Sequence, residues 1–206
     1  MGKGLPSRTA MVILYTLPIV AATATAWPYL LNASAIQLIV YAAVTLHFAK
    51  RVLESLFLHT YSGKMETLSL ILIAAIYSIV AGMICYLNAQ TIPAIDVWFY
   101  IGMLIFFVGE TANFYHHKLL VDLRKAGDGY HIPRGGFFEY AACPHYFFEL
   151  VSWLGILFLS RHLFALLALI VFTAYLTERS MKTRKWYQEK FSEFPKERKS
   201  IVPFVF

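Results

Sequence analysis

Six apolar stretches, at 10–31, 34–49, 67–88, 95–115, 138–160 and 163–178, take up most of this 206-residue chain. A helix needs about 20 apolar residues to cross a bilayer, and in hydrocarbon every backbone N–H and C=O must be paired within the chain. With 59% hydrophobic residues and a mean hydropathy of +0.59, there is more apolar surface than a soluble core of this size can hide. The pattern predicts an all-α integral membrane protein, a bundle of about six transmembrane helices. The second and sixth stretches are short. They are expected to continue as amphipathic helix, one through Lys50, Arg51 and Glu54 and the other through Glu178 and Arg179. A half-inserted segment near 137–146 is the alternative to a full fifth crossing. No linker, repeat or low-complexity tract divides residues 1–206, which read as a single domain. The first stretch leads straight into the next and lacks a short apolar core with a small-residue cleavage site, so it reads as a retained span.

Charge orients these spans. With six crossings both termini share one side, and that side collects 17 of the 18 Lys and Arg residues, leaving Arg161 opposite. By the positive-inside rule both termini are expected in the cytosol. A formal charge of +6 is compatible with a nucleic-acid partner, but the cations sit between apolar stretches and form no stripe on a soluble face. Cys85 and Cys143 have neither CxxC spacing nor further partners, which argues against a disulfide framework or a zinc site.

Ionisable residues inside a span are costly and mark functional sites by default. On the second helix His47, Arg51 and Glu54 share a face beside Lys50; an interfacial ion pair is the plainer reading. On the fourth, Glu110, Asn113 and His117 share a face that leads into Asp122, Arg124 and Lys125; a polar seam between helices is its plainer reading. On the fifth, Tyr146, Glu149 and Trp153 lie at i, i+3 and i+7, and a buried Glu149 needs a cation, a donor or a ligand. Between the fourth and fifth stretches, residues 124–136 carry Arg124, Lys125, Tyr130, His131 and Arg134 among turn glycines and a proline. Such a segment suits phosphate, and it also reads as an ordinary basic loop. There is no GxGxxG after a strand pattern and no P-loop. The seven histidines do not form the repeated boxes of a membrane di-iron site, and no metal is expected.

The run Asn113-Phe114-Tyr115-His116-His117, then Leu123-Arg124-Lys125, Tyr130-His131-Ile132-Pro133-Arg134-Gly135-Gly136, Phe138-Glu139-Tyr140, Cys143-Pro144-His145-Tyr146 and Glu149 resembles the C-terminal domain of the steroid 5α-reductase family. The ending from Arg184-Lys185-Trp186-Tyr187 through Ile201-Val202-Pro203-Phe204-Val205-Phe206 is similar to that family's closing segment. The stretch from His47 to His59 is similar to the very-long-chain trans-2-enoyl-CoA reductase branch. The resemblance covers residues 47–206. It implies an enzyme of the endoplasmic-reticulum membrane, its active site facing the cytosol, that uses NADPH to reduce a carbon–carbon double bond conjugated to a carbonyl. It also implies nucleotide contacts at Asn113, His117, Arg124, Tyr130, Arg134, His145 and Glu149, and roles for Lys50 and for Tyr146, the latter as proton donor.

Hydride addition at the β-carbon places negative charge on the carbonyl oxygen, which a cation such as Lys50 or Arg51 would stabilise. Tyr146 would then protonate the α-carbon; Glu54 completes the candidate catalytic set. The expected partners are the bilayer and a lipid substrate: a trans-2-enoyl-CoA first, then a 3-oxo-4-ene steroid, then a polyprenol, since polyprenol reductases also carry Pro-His-Tyr. Two competing readings stay open. One is a membrane methyltransferase using S-adenosylmethionine, because isoprenylcysteine methyltransferases have a similar His-Pro-x-Tyr and Glu pairing. The other is a non-catalytic lipid-binding or scaffolding protein.

Overall fold

The computed structural model describes residues 4–90, 93–125 and 129–205. Along the chain run β1 (Gly4–Pro6), α1 (Ser7–Leu30), α2 (Ala35–Leu53), β2 (Lys64–Glu66), α3 (Thr67–Gln90), α4 (Val97–Lys125), α5 (Pro144–Ser160) and α6 (Leu163–Lys190). A π-helical turn, Glu54–Leu58, prolongs α2. Among the described residues, five helices are long and apolar enough to cross a membrane: Ser7–Leu30, Ala35–Leu58, Thr67–Gln90, Val97–Arg124 and Leu163–Lys190. The expected extensions of the second and sixth stretches are therefore present. The fifth stretch is shorter than its apolar run: α5 has 17 residues, about 25 Å of helix. Residues 138–143 stay outside it because Pro144 takes the first helical position, where its missing N–H costs nothing.

The chain divides into two compact units, Met1–Met103 with Ile156–Leu166, and Leu104–Gly155 with Leu167–Phe206. In the first, α1 packs on α2 and α3. Ser34 starts α2 with a capping box, its hydroxyl accepting from Gln37 N–H while the Gln37 side chain accepts from Ser34 N–H. At one end β1 pairs antiparallel with β2, which brings the start of α1 and the start of α3 together. Polar side chains that lipid would not tolerate unpaired meet between the helices: Asn88 donates to Gln37 O at 3.0 Å and to the Tyr29 hydroxyl at 3.3 Å, and Gln37 donates to Asn88 O at 3.1 Å. Arg161, from the α5–α6 connection, pairs with both carboxylate oxygens of Asp96 and donates to Ala94 O at 3.3 Å.

In the second unit, α4 and α5 approach through two glycines. A Cβ on Gly109 would lie 2.5 Å from Ser152 N, and one on Gly155 would lie 2.5 Å from Phe106 N. This is the small-residue packing by which membrane helices bring backbones together. His116 bridges outward from the same contact. Its Nδ1–H donates to Ala112 O at 2.6 Å, its Nε2 accepts from Phe137 N–H at 3.0 Å, and its ring stacks on Phe148. Gly136, at φ +52°, lies so close to His116 that a Cβ would come within 2.9 Å of Nε2.

The C-terminal tail is fastened to this unit by a buried cation. The Arg198 side chain is 1% exposed and donates to Pro133 O at 2.8 Å and to Glu139 at 3.2 Å. Glu139 also accepts from Gly135 N–H at 2.7 Å and from Arg134 at 3.3 Å. Backbone bonds run alongside, from Ala142 N–H to Lys199 O, Lys199 N–H to Tyr140 O and Cys143 N–H to Ser200 O. Arg184 of α6 donates to the carbonyls of Arg198 and Lys196.

Two outcomes follow from this packing. Gly109→Leu and Gly155→Leu, which force a large side chain into a backbone contact, should each destabilise the detergent-purified protein by about 1–3 kcal/mol or more, read as a lowered unfolding midpoint. Retention of the wild-type midpoint would show that the helices are not in close contact. The Glu139 carboxyl is held below the usual glutamate range, first by the Gly135 N–H and then by Arg134 and Arg198, against an opposing push from burial. A depressed folded-state value stabilises the fold above the unfolded pKa, and that gain is lost as pH falls through the folded one. The Tm difference between wild type and Glu139→Gln should thus be present at pH 7 and shrink once pH drops below about 4.3. A difference independent of pH would contradict the assignment.

Candidate functional site

The second unit contains a cleft of about 690 Å³. One wall is α4, through Leu120 and Arg124. The segment before α5 supplies Tyr130, Ala142 and Cys143, and the first turn of α5 supplies His145 and Tyr146. The other wall is α6, whose Arg179, Lys182, Thr183, Trp186, Tyr187 and Lys190 recur every three or four residues and so form one helix face. Four cations, Arg124, Arg179, Lys182 and Lys190, line the cleft, and no carboxylate does among the described residues. At one end Arg179 and Tyr146 both line the cleft and interact electrostatically, and the Tyr146 ring lies 4.3 Å from that of His145. At the other, Tyr130 meets Trp186 edge to face at 5.0 Å, and the Lys190 ammonium sits 4.6 Å and 4.8 Å over the two rings. Tyr187 ties the cleft to the tail by stacking on Phe194 in a cluster with Ala142 and Cys143.

Of the candidate nucleotide contacts, Arg124, Tyr130 and His145 line this cleft, together with the candidate donor Tyr146. Asn113 and His117 lie behind it. The buried Asn113 amide donates to His145 O at 2.8 Å, and the His117 ring is 5.3 Å from the His145 ring, so the α4 polar face positions the start of α5. Glu149 is buried three residues beyond Tyr146 and does not line the cleft. Arg134, largely exposed, is paired with Glu139.

Lys50, Arg51 and Glu54 belong to the first unit. The Arg51 guanidinium is paired with the buried carboxylate of Glu54, donates to the Tyr15 hydroxyl at 2.9 Å and lies 4.9 Å over the Tyr15 ring. Glu54 opens the π-helical turn, a local widening frequent at functional sites, and lies 4.0 Å from His59 Nε2. Lys50, one residue before Arg51, points to a different side of the helix.

Sequence reasoning missed the α6 wall. Arg179, Lys182 and Lys190 read as part of a topogenic basic tail, and Trp186 and Tyr187 as part of a closing segment. Their spacing along one helical face was the available signal.

An arrangement with four cations, two aromatic faces and a phenol near a guanidinium suits an anionic ligand with an aromatic ring, beside a group able to move a proton. Residues 64–206 match the family described as 3-oxo-5-alpha-steroid 4-dehydrogenase. The steroid 5-alpha-reductase DET2 of Gossypium hirsutum is 43% identical over 110 residues, 52% of this chain and 43% of that protein. The 3-oxo-5-alpha-steroid 4-dehydrogenase 1 of Rattus norvegicus is 40% identical over 108 residues, 52% of this chain and 42% of that protein. The protein of that name from Bos taurus is 34% identical over 215 residues, 98% of this chain and 82% of that protein. The matched stretch thus spans less than half the length of the first two relatives. Relatives of this family are oxidoreductases acting on CH–CH groups. With most of its length matched by the family model and a bovine member alignable almost end to end, the chain belongs to the steroid 5-alpha-reductase family.

Proposed function

We propose that this protein is an NADPH-dependent reductase of a carbon–carbon double bond conjugated to a carbonyl in a lipid, and that residues 1–206 act as one membrane-embedded reductase domain. The observation that carries the reading is the placing of Tyr146 with Arg179 in a cleft lined by four cations and no carboxylate among the described residues. That donor set fits a phosphorylated nicotinamide dinucleotide. Sites for the non-phosphorylated form commonly place an acidic residue on the ribose 2′-hydroxyl, whereas a 2′-phosphate calls for a cation. Bound in the cleft, the cofactor would supply the hydride.

The chain's own groups do the rest. Tyr146 delivers the proton to the α-carbon, and the Arg179 guanidinium stabilises the phenolate left behind. His145 fixes the ring beside it, its backbone carbonyl held in turn by Asn113. In the first unit the Arg51 guanidinium is engaged by Glu54 and Tyr15. The relatives are named for steroid reduction, which moves a 3-oxo-4-ene steroid ahead of a trans-2-enoyl-CoA and a polyprenol. The cation asymmetry supports cytosolic termini and a cleft open to the cytosol; residence in the endoplasmic reticulum rests on the family likeness.

The test is NADPH oxidation by the detergent-purified protein with a 4-ene-3-oxosteroid, a trans-2-enoyl-CoA and a polyprenol. We expect turnover of the steroid, with kcat lowered about a hundredfold or more in Tyr146→Phe and NADPH affinity little changed. No oxidation of NADPH with any substrate, together with binding of S-adenosylmethionine in its place, would overturn the reductase reading in favour of a methyltransferase.

A further inference from the structure

The two ends of the cleft differ chemically, and the difference assigns them different parts of the ligand. Arg179 and Lys190 are eleven positions apart on α6, about 16 Å along the helix axis. The Arg179 end carries Tyr146, the proposed proton donor. The Lys190 end offers two aromatic rings meeting edge to face and, over both, an ammonium on a flexible four-carbon stem.

Lys190 is seated on aromatic faces, 4.6 Å over Tyr130, 4.8 Å over Trp186 and 5.9 Å over Phe191. A cation–π contact at a partly exposed site is weaker than a charge-assisted bond to phosphate. A phosphate arriving at this end therefore draws the ammonium from the rings, and the faces it vacates are free to stack a purine. Lys182, two turns back on the same helix face, is held by Glu178 at 2.5 Å on an exposed surface. Such an exposed pair is weak and readily exchanged.

Resting on the reading of the cleft as a dinucleotide site, we infer that Lys190, with Tyr130 and Trp186, forms the subsite for the adenosine 2′-phosphate and makes the protein select NADPH over NADH. The base stacks on one ring of the aromatic pair, and Lys190 closes on the 2′-phosphate. Arg124 and Lys182 are left to the pyrophosphate shared by both nucleotides.

Dissociation constants for NADPH and NADH, measured by titration calorimetry on the full-length protein in detergent, test this assignment. Wild type should bind NADPH at least tenfold more tightly than NADH. Lys190→Gln should weaken NADPH about tenfold or more and NADH less than twofold, and Lys190→Arg should restore the preference. Retained NADH affinity in Lys190→Gln shows that the site is still folded. Equal weakening of both nucleotides, or of neither, would overturn the subsite while leaving the cofactor reading in place. Failure of the wild type to bind NADPH at all would overturn both.

Discussion

A guanidinium can be buried only where its charge is met, and the second unit is organised around one such group. Arg198, in a tail that follows the last helix, is nearly inaccessible and reaches Pro133 O and Glu139 on the segment before α5. Removing a buried charge's partner costs several kcal/mol, so this contact determines where the tail and the segment around residues 130–140 lie. From there the dependence is sequential. The backbone bonds at Lys199 and Ser200 place Ala142 and Cys143, these pack on Tyr187 and Phe194, and the cleft forms between that cluster and α4.

The same economy explains the polar residues of α4. His116 uses both ring nitrogens on backbone groups and Asn113 uses its amide on the carbonyl of His145. These are structural bonds, and their effect on chemistry is indirect: they fix the turn from which His145 and Tyr146 project. In the first unit, Arg51 pairs with Glu54 and donates to Tyr15 where α2 passes into its π-helical turn. Asn88 hydrogen-bonds Gln37 and Tyr29 between α1, α2 and α3.

Much of this was legible in the sequence for a simple reason: lipid penalises unpaired polarity, so apolar length gives the spans and each polar interruption marks a contact. Five of the six apolar stretches match helices long and apolar enough to cross a membrane among the described residues, and the continuation of the second and sixth was readable from Lys50, Arg51, Glu54 and Arg179. The start of α5 was less so, because the run from Phe138 is apolar throughout and only Pro144 signals where the helix can begin. Tyr146, His145, Arg124 and Tyr130 fall in the cleft as a set. The α6 wall was hidden because Lys and Arg near the end of a span satisfy the positive-inside rule whatever else they do. Glu139 fell inside the fifth apolar stretch and Arg134 in the basic loop, and the buried Arg198 that also pairs with Glu139 is some sixty residues away in sequence.

Family membership and cleft chemistry arrive at the same place by separate routes, one from sequence likeness over residues 64–206 and the other from the cations and rings facing one another across the second unit. The central claim is that this cleft holds the nicotinamide cofactor. Hydrogen–deuterium exchange of the detergent-purified protein, with and without NADPH, tests it most directly. The account predicts slowed exchange in peptides covering residues 120–146 and 179–190. Binding of NADPH with protection confined to other segments would contradict it.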